Sequence, residues 1–200
     1  MFSFLSRTNS CTYFEDVLEY VPTIQTKIMD QDIEDGVLAT SICHFCEDHQ
    51  MGQRNKKFIV SLSGGVDSMV MLTILHFYKY EVVATHINYN NREESKREQL
   101  FLERWCEFNG IPLYVKSIKF IKRNTTNRTY YELVTKNIRI DFYKEVMAKE
   151  NVDCVLLAHH KDDIVENIFA NVCRGRNLLN LDVIKKHSVI YDIHFGRPMN

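Results

Sequence analysis

Apolar residues recur along this chain in two rhythms, and the change between them falls near residue 56. Before it, Phe14, Val17, Leu18 and Val21 share one helical face as far as Pro22, and Ile33, Val37, Leu38, Ser41, Ile42 and Phe45 form a second amphipathic run. Residues 1–55 therefore read as an N-terminal helical extension, with Gln50–Lys57 as a polar linker. Beyond it, short β-branched and apolar runs alternate with amphipathic stretches. Strands are predicted at Phe58–Leu62, Val82–Asn88, Leu113–Phe120 and Val152–Ala158, with a further one at His187–Tyr191. Helices are predicted at Asp67–Tyr78, Ser95–Asn109, Tyr130–Glu150 and Asp162–Val172, the second closed by Gly110 ahead of Pro112. Such a βαβα rhythm builds an α/β fold, a doubly wound parallel sheet with ligands outside the carboxyl ends of its strands, and residues 56–200 are assigned to that domain.

Composition narrows this picture without redirecting it. Hydrophobic content of 45% and charged content of 26% are those of a globular chain with a full core. A net charge of −1 gives no global attraction to nucleic acid, so any such contact needs a local patch. No run approaches the 18 apolar residues of a membrane span, and Met1–Leu5 is too short for a signal sequence, so a cytoplasmic location and no membrane role are expected. In that compartment the six cysteines read as free thiols. Cys43 and Cys46, with His49 nearby, form the one C-x-x-C. Their place on a helix beside Ile42 and Phe45 favours packing, with metal or redox use as the alternative.

The candidate chemistry starts where the first strand of the domain empties into Ser63-Gly64-Gly65-Val66-Asp67-Ser68 and a helix follows at once. Paired glycines allow a sharp turn that presents successive N–H groups to an anion, and the helix start adds its own unpaired N–H groups. Ser63 and Ser68 supply hydroxyls, and Asp67 offers a carboxylate to a metal that bridges phosphates. Neither G-x-x-x-x-G-K-[ST] nor G-x-G-x-x-G occurs, which excludes the lysine-bearing Walker loop and the dinucleotide fingerprint. A glycine turn that binds nothing is the plain alternative.

Further groups fall at the ends of later strands. The second strand runs into His86-Ile87-Asn88-Tyr89-Asn90-Asn91-Arg92, and a later one into Ala158-His159-His160-Lys161-Asp162-Asp163-Ile164-Val165-Glu166, then Arg174-Gly175. Asp163 and Glu166 are three apart on a helix and face one way, with His159 on the same side. Paired carboxylates there suit Mg²⁺, a cationic substrate or a proton, whereas N-capping and solvated surface are the bland alternative. Glu132, Lys136, Arg139 and Tyr143 form one polar stripe on the long helix. Lys116, Lys119, Lys122, Arg123, Arg128, Lys136 and Arg139 gather seven cations against Glu132, a local zone that suits RNA and equally fits an ordinary solvated loop.

With these residues in view, the chain resembles the PP-loop N-type ATP pyrophosphatases, which share an adenine-nucleotide alpha-hydrolase-like fold. Within them it is similar to the N-terminal catalytic domain of the tRNA(Ile)-lysidine synthetase family. The resemblance covers residues 58–200 and rests on Ser63–Ser68, His86–Arg92 with Ser95, Glu132 to Arg139, Ala158–Glu166, Arg174-Gly175 and Arg197-Pro198. Departures are Asn88-Tyr89-Asn90-Asn91 in place of an Asp-His-Gly-Leu segment, Ile140 in place of Tyr, and Asn167 in place of Thr. The resemblance implies ATP on Ser63, Gly64, Gly65, Val66 and Ser68, with Asp67 and Mg²⁺ on its phosphates, and tRNA and free lysine as partners. It also implies substrate contacts from His159, Asp163, Glu166 and Arg174, with Asp67, Arg139, Asp163 and Glu166 as the catalytic set. The reaction it implies is adenylation at C2 of a wobble cytidine, followed by displacement of AMP by lysine.

The chain ends two residues after Pro198, so it reads either as a fragment or as a shortened protein whose later family elements would come from a second copy in a homodimer or from a partner protein, or that has lost activity. Two other functions fit the same residues. One is a tRNA-thiolating PP-loop enzyme, and the other is a shortened ATP- or tRNA-binding module without full activity.

Overall fold

Strand β1 (Lys57–Ser61) lies at the middle of the sheet and takes a parallel neighbour on each side, β2 (Glu81–Asn88) and β4 (Cys154–Leu156). β3 (Leu113–Ser117) extends the sheet beyond β2, also in parallel. On the other flank β6 (Ile193–Gly196) pairs parallel with β4, and β5 (His187–Ile190) closes the edge antiparallel to β6. The spatial order among the described residues is β3-β2-β1-β4-β6-β5. This computed structural model describes residues 36–48, 57–163, 165–166 and 185–200. The helices are α1 (Val37–Asp48), α2 (Val66–Phe77), α3 (Ser95–Phe108) and α4 (Arg128–Glu150). The chain separates into two compact units, Met1–Ala39 and Thr40–Asn200, and the sheet belongs wholly to the second.

Ile59, Val60, Val83, Ala84, Val155 and Leu156 have no exposed surface, as central strands covered on both faces require. Each such aliphatic side chain stabilises the fold by about 1.5–3 kcal/mol relative to exposure. α4 lays Phe142, Tyr143 and Val146 on the face presented by Ile59, Val83, Val155, Ile193 and Phe195. The crossovers β1-α2-β2 and β2-α3-β3 step one way along the sheet and β3-α4-β4 steps back, so right-handed connections put α2 and α3 on the opposite face. Local chemistry sets the helix ends. The Asn127 side chain accepts from the N–H groups of Thr129 and Tyr130 to cap α4, and Asn151 ends it in the left-handed region at φ 54. Gly110, at φ 65, follows the end of α3 as its sequence position predicts.

The sheet is mostly rather than wholly parallel. The strand predicted at His187–Tyr191 is present as β5, but the periodicity of the sequence does not show β6, the strand that joins it to the rest. The turn between them is Tyr191-Asp192, both residues at positive φ, without the glycine or asparagine that usually announces a hairpin. Leu113–Phe120 shortens to Leu113–Ser117, and Val152–Ala158 to Cys154–Leu156. Most of residues 1–55, the helix predicted from Asp162 beyond Glu166, and Arg174 lie outside the described residues.

Candidate active site

Because the strand order reverses between β1 and β4, the segments leaving these two strands diverge and open a crevice at their carboxyl ends. There the structure has a cleft of about 850 Å³, and it brings together residues that lie far apart in the sequence. Ser63, Asp67 and Ser68 line it from the β1–α2 turn, His159 and Asp163 from the segment after β4, Lys136, Arg139 and Tyr143 from α4, and Arg197 from the end of β6.

The β1–α2 turn is shaped by its own hydroxyls. Gly65 N–H donates to Ser63 Oγ at 3.2 Å, Ser68 Oγ donates to Gly65 O at 3.0 Å, and Ser63 N–H donates to Ser68 Oγ at 3.2 Å. Ser68 is buried and acts chiefly as a brace, whereas Ser63 is exposed. Gly64 sits at φ 87, a conformation that costs any residue with a Cβ, while Gly65 has an ordinary extended backbone. Gly65 is the N-cap of α2 and no side chain caps it. The first internal bond of the helix is Met69 N–H to Gly65 O, so the N–H groups of Val66, Asp67 and Ser68 stay open at the positive end of the helix. A terminus of that kind attracts anions.

Opposite it, the segment after β4 forms a reciprocal capping box. His160 N–H donates to Asp163 Oδ2 at 2.8 Å, and Asp162 N–H donates to His160 Nδ1 at 3.2 Å. With Nδ1 accepting, the ring's proton sits on Nε2, which lies 3.7 Å from Asp67 Oδ2 and 3.9 Å from Asp163 Oδ2. One imidazole thus stands between the carboxylate of the turn and that of the later motif. Glu166 is exposed one helical turn further on and is not among the residues lining the cleft. His159 also faces the cleft. Although much of its surface is open, crowding on the cleft side pushes its pKa below the ordinary histidine value, and the Arg197 charge adds to this.

Three side chains to which the sequence alone assigns no role prove central to this geometry. Arg197 is buried at 8% exposure, held by Nη1 donating to Lys185 O at 2.8 Å and Ser188 Oγ at 3.0 Å, and its buried Nε has no partner among the described residues. Burial lowers its pKa, yet a guanidinium stays charged, so an unsatisfied buried cation lines the cleft. Arg197 stands in the Arg197-Pro198 match, which is its signal in the sequence. His160 precedes the two aspartates in its motif, but its part emerges only from the cap. His86, buried at the end of β2, donates from Nδ1 to Leu62 O at 2.9 Å and pins the turn to the neighbouring strand.

Of the polar stripe on α4, Lys136, Arg139 and Tyr143 face the cleft. Glu132 does not line it and is bridged at 2.7 Å to Arg128. The Tyr143 hydroxyl lies 2.7 Å from Ser61 Oγ, and burial raises its pKa. Arg123 and Arg139 make no ion pair among the described residues. Five cations (Arg92, Arg123, Lys136, Arg139, Arg197) and three carboxylates (Asp67, Glu98, Asp163) line the cleft, an excess that suits a polyphosphate.

The Asn-rich segment has a structural reason. Asn88 Nδ2 donates to Ser95 O and Gln99 Oε1, Asn90 Nδ2 donates to Ile118 O, and Asn91 Nδ2 donates to the Tyr131 hydroxyl. Asn90 takes φ 49, which asparagine tolerates better than most residues. These bonds lock the exit of β2 to α3, the β3 exit and α4. The described cysteines, Cys43, Cys46, Cys106 and Cys154, do not line the cleft. Burial pushes the Cys46 and Cys154 thiols up to about 12, and Cys43 is raised as well, as packing residues rather than thiolates. Among the described residues no group of three or more metal-binding side chains converges. No described helix is long and apolar enough to cross a membrane.

A mostly parallel α/β sheet with an uncapped glycine turn at its switch point is an architecture that suits phosphate binding. The chain belongs to the PP-loop domain family, whose family model matches residues 35–200. It is 33% identical over 138 residues to the bifunctional protein TilS/HprT of Listeria monocytogenes, covering 66% of this chain and 21% of that protein. It is 29% identical over 141 residues to the tRNA(Ile)-lysidine synthase of Bacteroides thetaiotaomicron, covering 70% and 33%. Among solved structures it resembles the U34-tRNA thiolase NcsA of Methanococcus maripaludis, with its 4Fe–4S cluster, at TM-score 0.61 and 20% identity over 81% of this chain and 58% of that one. That likeness is one of fold. The chain spans about a fifth to a third of the length of these curated relatives.

Proposed function

We propose that this chain is the ATP-using domain of a tRNA-modifying enzyme that forms lysidine. The observation that carries this reading is the meeting, in one cleft, of the open amides of the β1–α2 turn and the Asp163 carboxylate with a surplus of arginine. ATP would place its phosphates on the N–H groups of Val66, Asp67 and Ser68 beside Ser63, within reach of Arg139 and the unpartnered Nε of Arg197. Asp67 fits Mg²⁺ as an exposed hard oxygen donor beside the open amides of the β1–α2 turn. When bound, that ion would neutralise phosphate charge.

In this reading the C2 oxygen of a cytidine attacks the α-phosphorus of ATP, and the bond to pyrophosphate breaks. The ε-amine of lysine, held by Asp163, then attacks C2, the new C–N bond forms, and AMP leaves with the former C2 oxygen. The amine must shed protons. His159, kept neutral to lower pH than an ordinary histidine, is placed to accept one. His160 fixes the orientation of Asp163 through the cap.

Incubation of the chain with ATP, Mg²⁺, radiolabelled lysine and bulk tRNA tests the reading. Label is expected in RNA, together with AMP and pyrophosphate, and lost with Asp163→Asn. ATP-dependent tRNA binding without label transfer would overturn lysidine formation and leave a binding module. Label from a sulfur donor instead of lysine would establish thiolation.

A further inference from the structure

A second groove of about 830 Å³ runs beside the cleft and shares Asn91 and Arg92 with it. Its banks are Arg92, Glu93, Lys96 and Arg97 around the start of α3, and Lys119 and Lys122 from the β3–α4 loop. Five cations therefore face one carboxylate. Arg92 is bridged to Glu98 at 2.7 Å, but Lys96, Arg97, Lys119 and Lys122 are exposed and make no ion pair among the described residues. An ordinary solvated surface intersperses both signs. Here one sign occupies both banks, the arrangement that neutralises a run of phosphates.

The loop also carries an aromatic ring in water. Phe120 is 77% exposed, while Ile118 and Ile121 on either side are buried against Tyr131. Those anchors, with Asn90 Nδ2 donating to Ile118 O and Arg123 N–H donating to Asn91 Oδ1, fix the loop's shape. Flanked in sequence by Lys119 and Lys122 on a backbone held by these anchors, the exposed ring, just outside the groove lining, offers a stacking face to an unpaired base. The seven-cation zone of the sequence thus divides in the structure. Arg123, Lys136 and Arg139 turn into the cleft, Lys119 and Lys122 turn into the groove, and Lys116 and Arg128 are bridged to Glu145 and Glu132.

We propose that this groove is the entry track for the substrate RNA. Phosphates of an unpaired stretch lie between the two lysine-bearing banks, a base stacks on Phe120, and the target base passes over Asn91 and Arg92 into the cleft. This track rests on the RNA-modifying reading above. RNA is favoured over an acidic polypeptide because the groove opens into the cleft where that reading puts a nucleobase.

The test uses the full chain, a fluorescent anticodon stem-loop RNA and intact tRNA, with anisotropy measured from 50 to 300 mM salt. Lys119→Ala/Lys122→Ala is expected to weaken binding about 10-fold or more and to lower the log–log salt slope by about 1.4, at roughly 0.7 per lost contact to single-stranded RNA. Phe120→Ala is expected to weaken binding on the order of 10-fold. Lys119→Arg/Lys122→Arg keeps the charge and retains binding, which separates charge from folding, and ATP binding stays unchanged in all three variants. If the unmodified chain binds RNA and every variant matches its affinity and slope, the track is overturned while the RNA-modifying reading stands. If the unmodified chain binds neither RNA at any salt, that reading fails with it.

Discussion

The two ends of the sheet treat polar groups in opposite ways. At the amino end they are paired off. Lys57 Nζ lies 2.6 Å from Glu150 Oε2, the Tyr114 hydroxyl donates to the other oxygen of the same carboxylate, and Lys149 sits over the Tyr114 ring. At the carboxyl end they are left open among the described residues, in the uncapped amides of α2, the Nε of Arg197, and Arg123 and Arg139, which make no ion pair there. Backbone departures gather there too, with Gly64 at φ 87 and Asn90 at φ 49. An unsatisfied buried donor costs roughly 1–3 kcal/mol, so the open end detracts from stability while the closed end adds to it. The difference teaches where to look for each property: activity at one end of the strands, stability at the other.

The largest separation is expected from Asp67→Asn. Asp67 is exposed, so its loss moves the unfolding free energy by no more than about 0.5 kcal/mol. In the proposed reaction it also takes away the hard oxygen donor beside the ATP phosphates, and on that reading kcat/KM for ATP-dependent lysine transfer is expected to fall roughly 10²–10³-fold. Paired rate and thermal-unfolding measurements check this. A drop in stability matching the drop in rate would erase the contrast between the ends.

Much of this contrast is legible in the sequence alone. The Ser63–Ser68 turn, Arg139 and Asp163 follow from motif and spacing because each lies on a strand exit or a helix stripe, where local sequence dictates geometry. Arg197 and β6 are not legible in that way. A strand of Ile193–Gly196 owes its place to pairing with Cys154–Leu156, some forty residues away, and to a hairpin without the usual turn residues. Arg197 becomes a cleft residue only once that pairing exists. Glu132 and Tyr143 share a stripe in sequence, yet only Tyr143 reaches the cleft, because Arg128 one turn earlier draws Glu132 outward. The packing of Cys46 is legible from its place beside Ile42 and Phe45, but nothing in the C-x-x-C spacing points to Cys154 as its neighbour.

An intermediate effect is expected where the open end rests on its scaffold. A Cβ on Gly196 would lie 2.7 Å from Leu156 Cδ2 and 2.9 Å from the Phe45 ring, both buried, so Gly196→Ala forces those side chains apart. Overpacking of this kind costs about 1–3 kcal/mol, which for a chain of this size lowers Tm by roughly 2–10 °C. Because Arg197 is the next residue, the KM for ATP is expected to rise as well. An unchanged Tm would mean that β6 contributes little to holding the cleft.

The smallest effect, and the sharpest test of the closed end, is the pH dependence of Glu150→Gln. The hydrogen bond from Lys57, then that from Tyr114, holds the Glu150 carboxyl below its ordinary pKa. A carboxylate depressed in the folded state binds fewer protons there than in the unfolded chain, so its contribution is full above the unfolded value of about 4.3 and fades as pH falls through the folded one. At pH 7 the variant is expected to be less stable by a few tenths to about 1 kcal/mol, with unchanged lysine transfer. Urea midpoints of the two proteins should converge between about pH 5 and pH 3. A gap that stays constant over that range would show that Lys57 and Tyr114 hold Glu150 by packing alone, and a loss of activity would show that the two ends of the sheet are coupled.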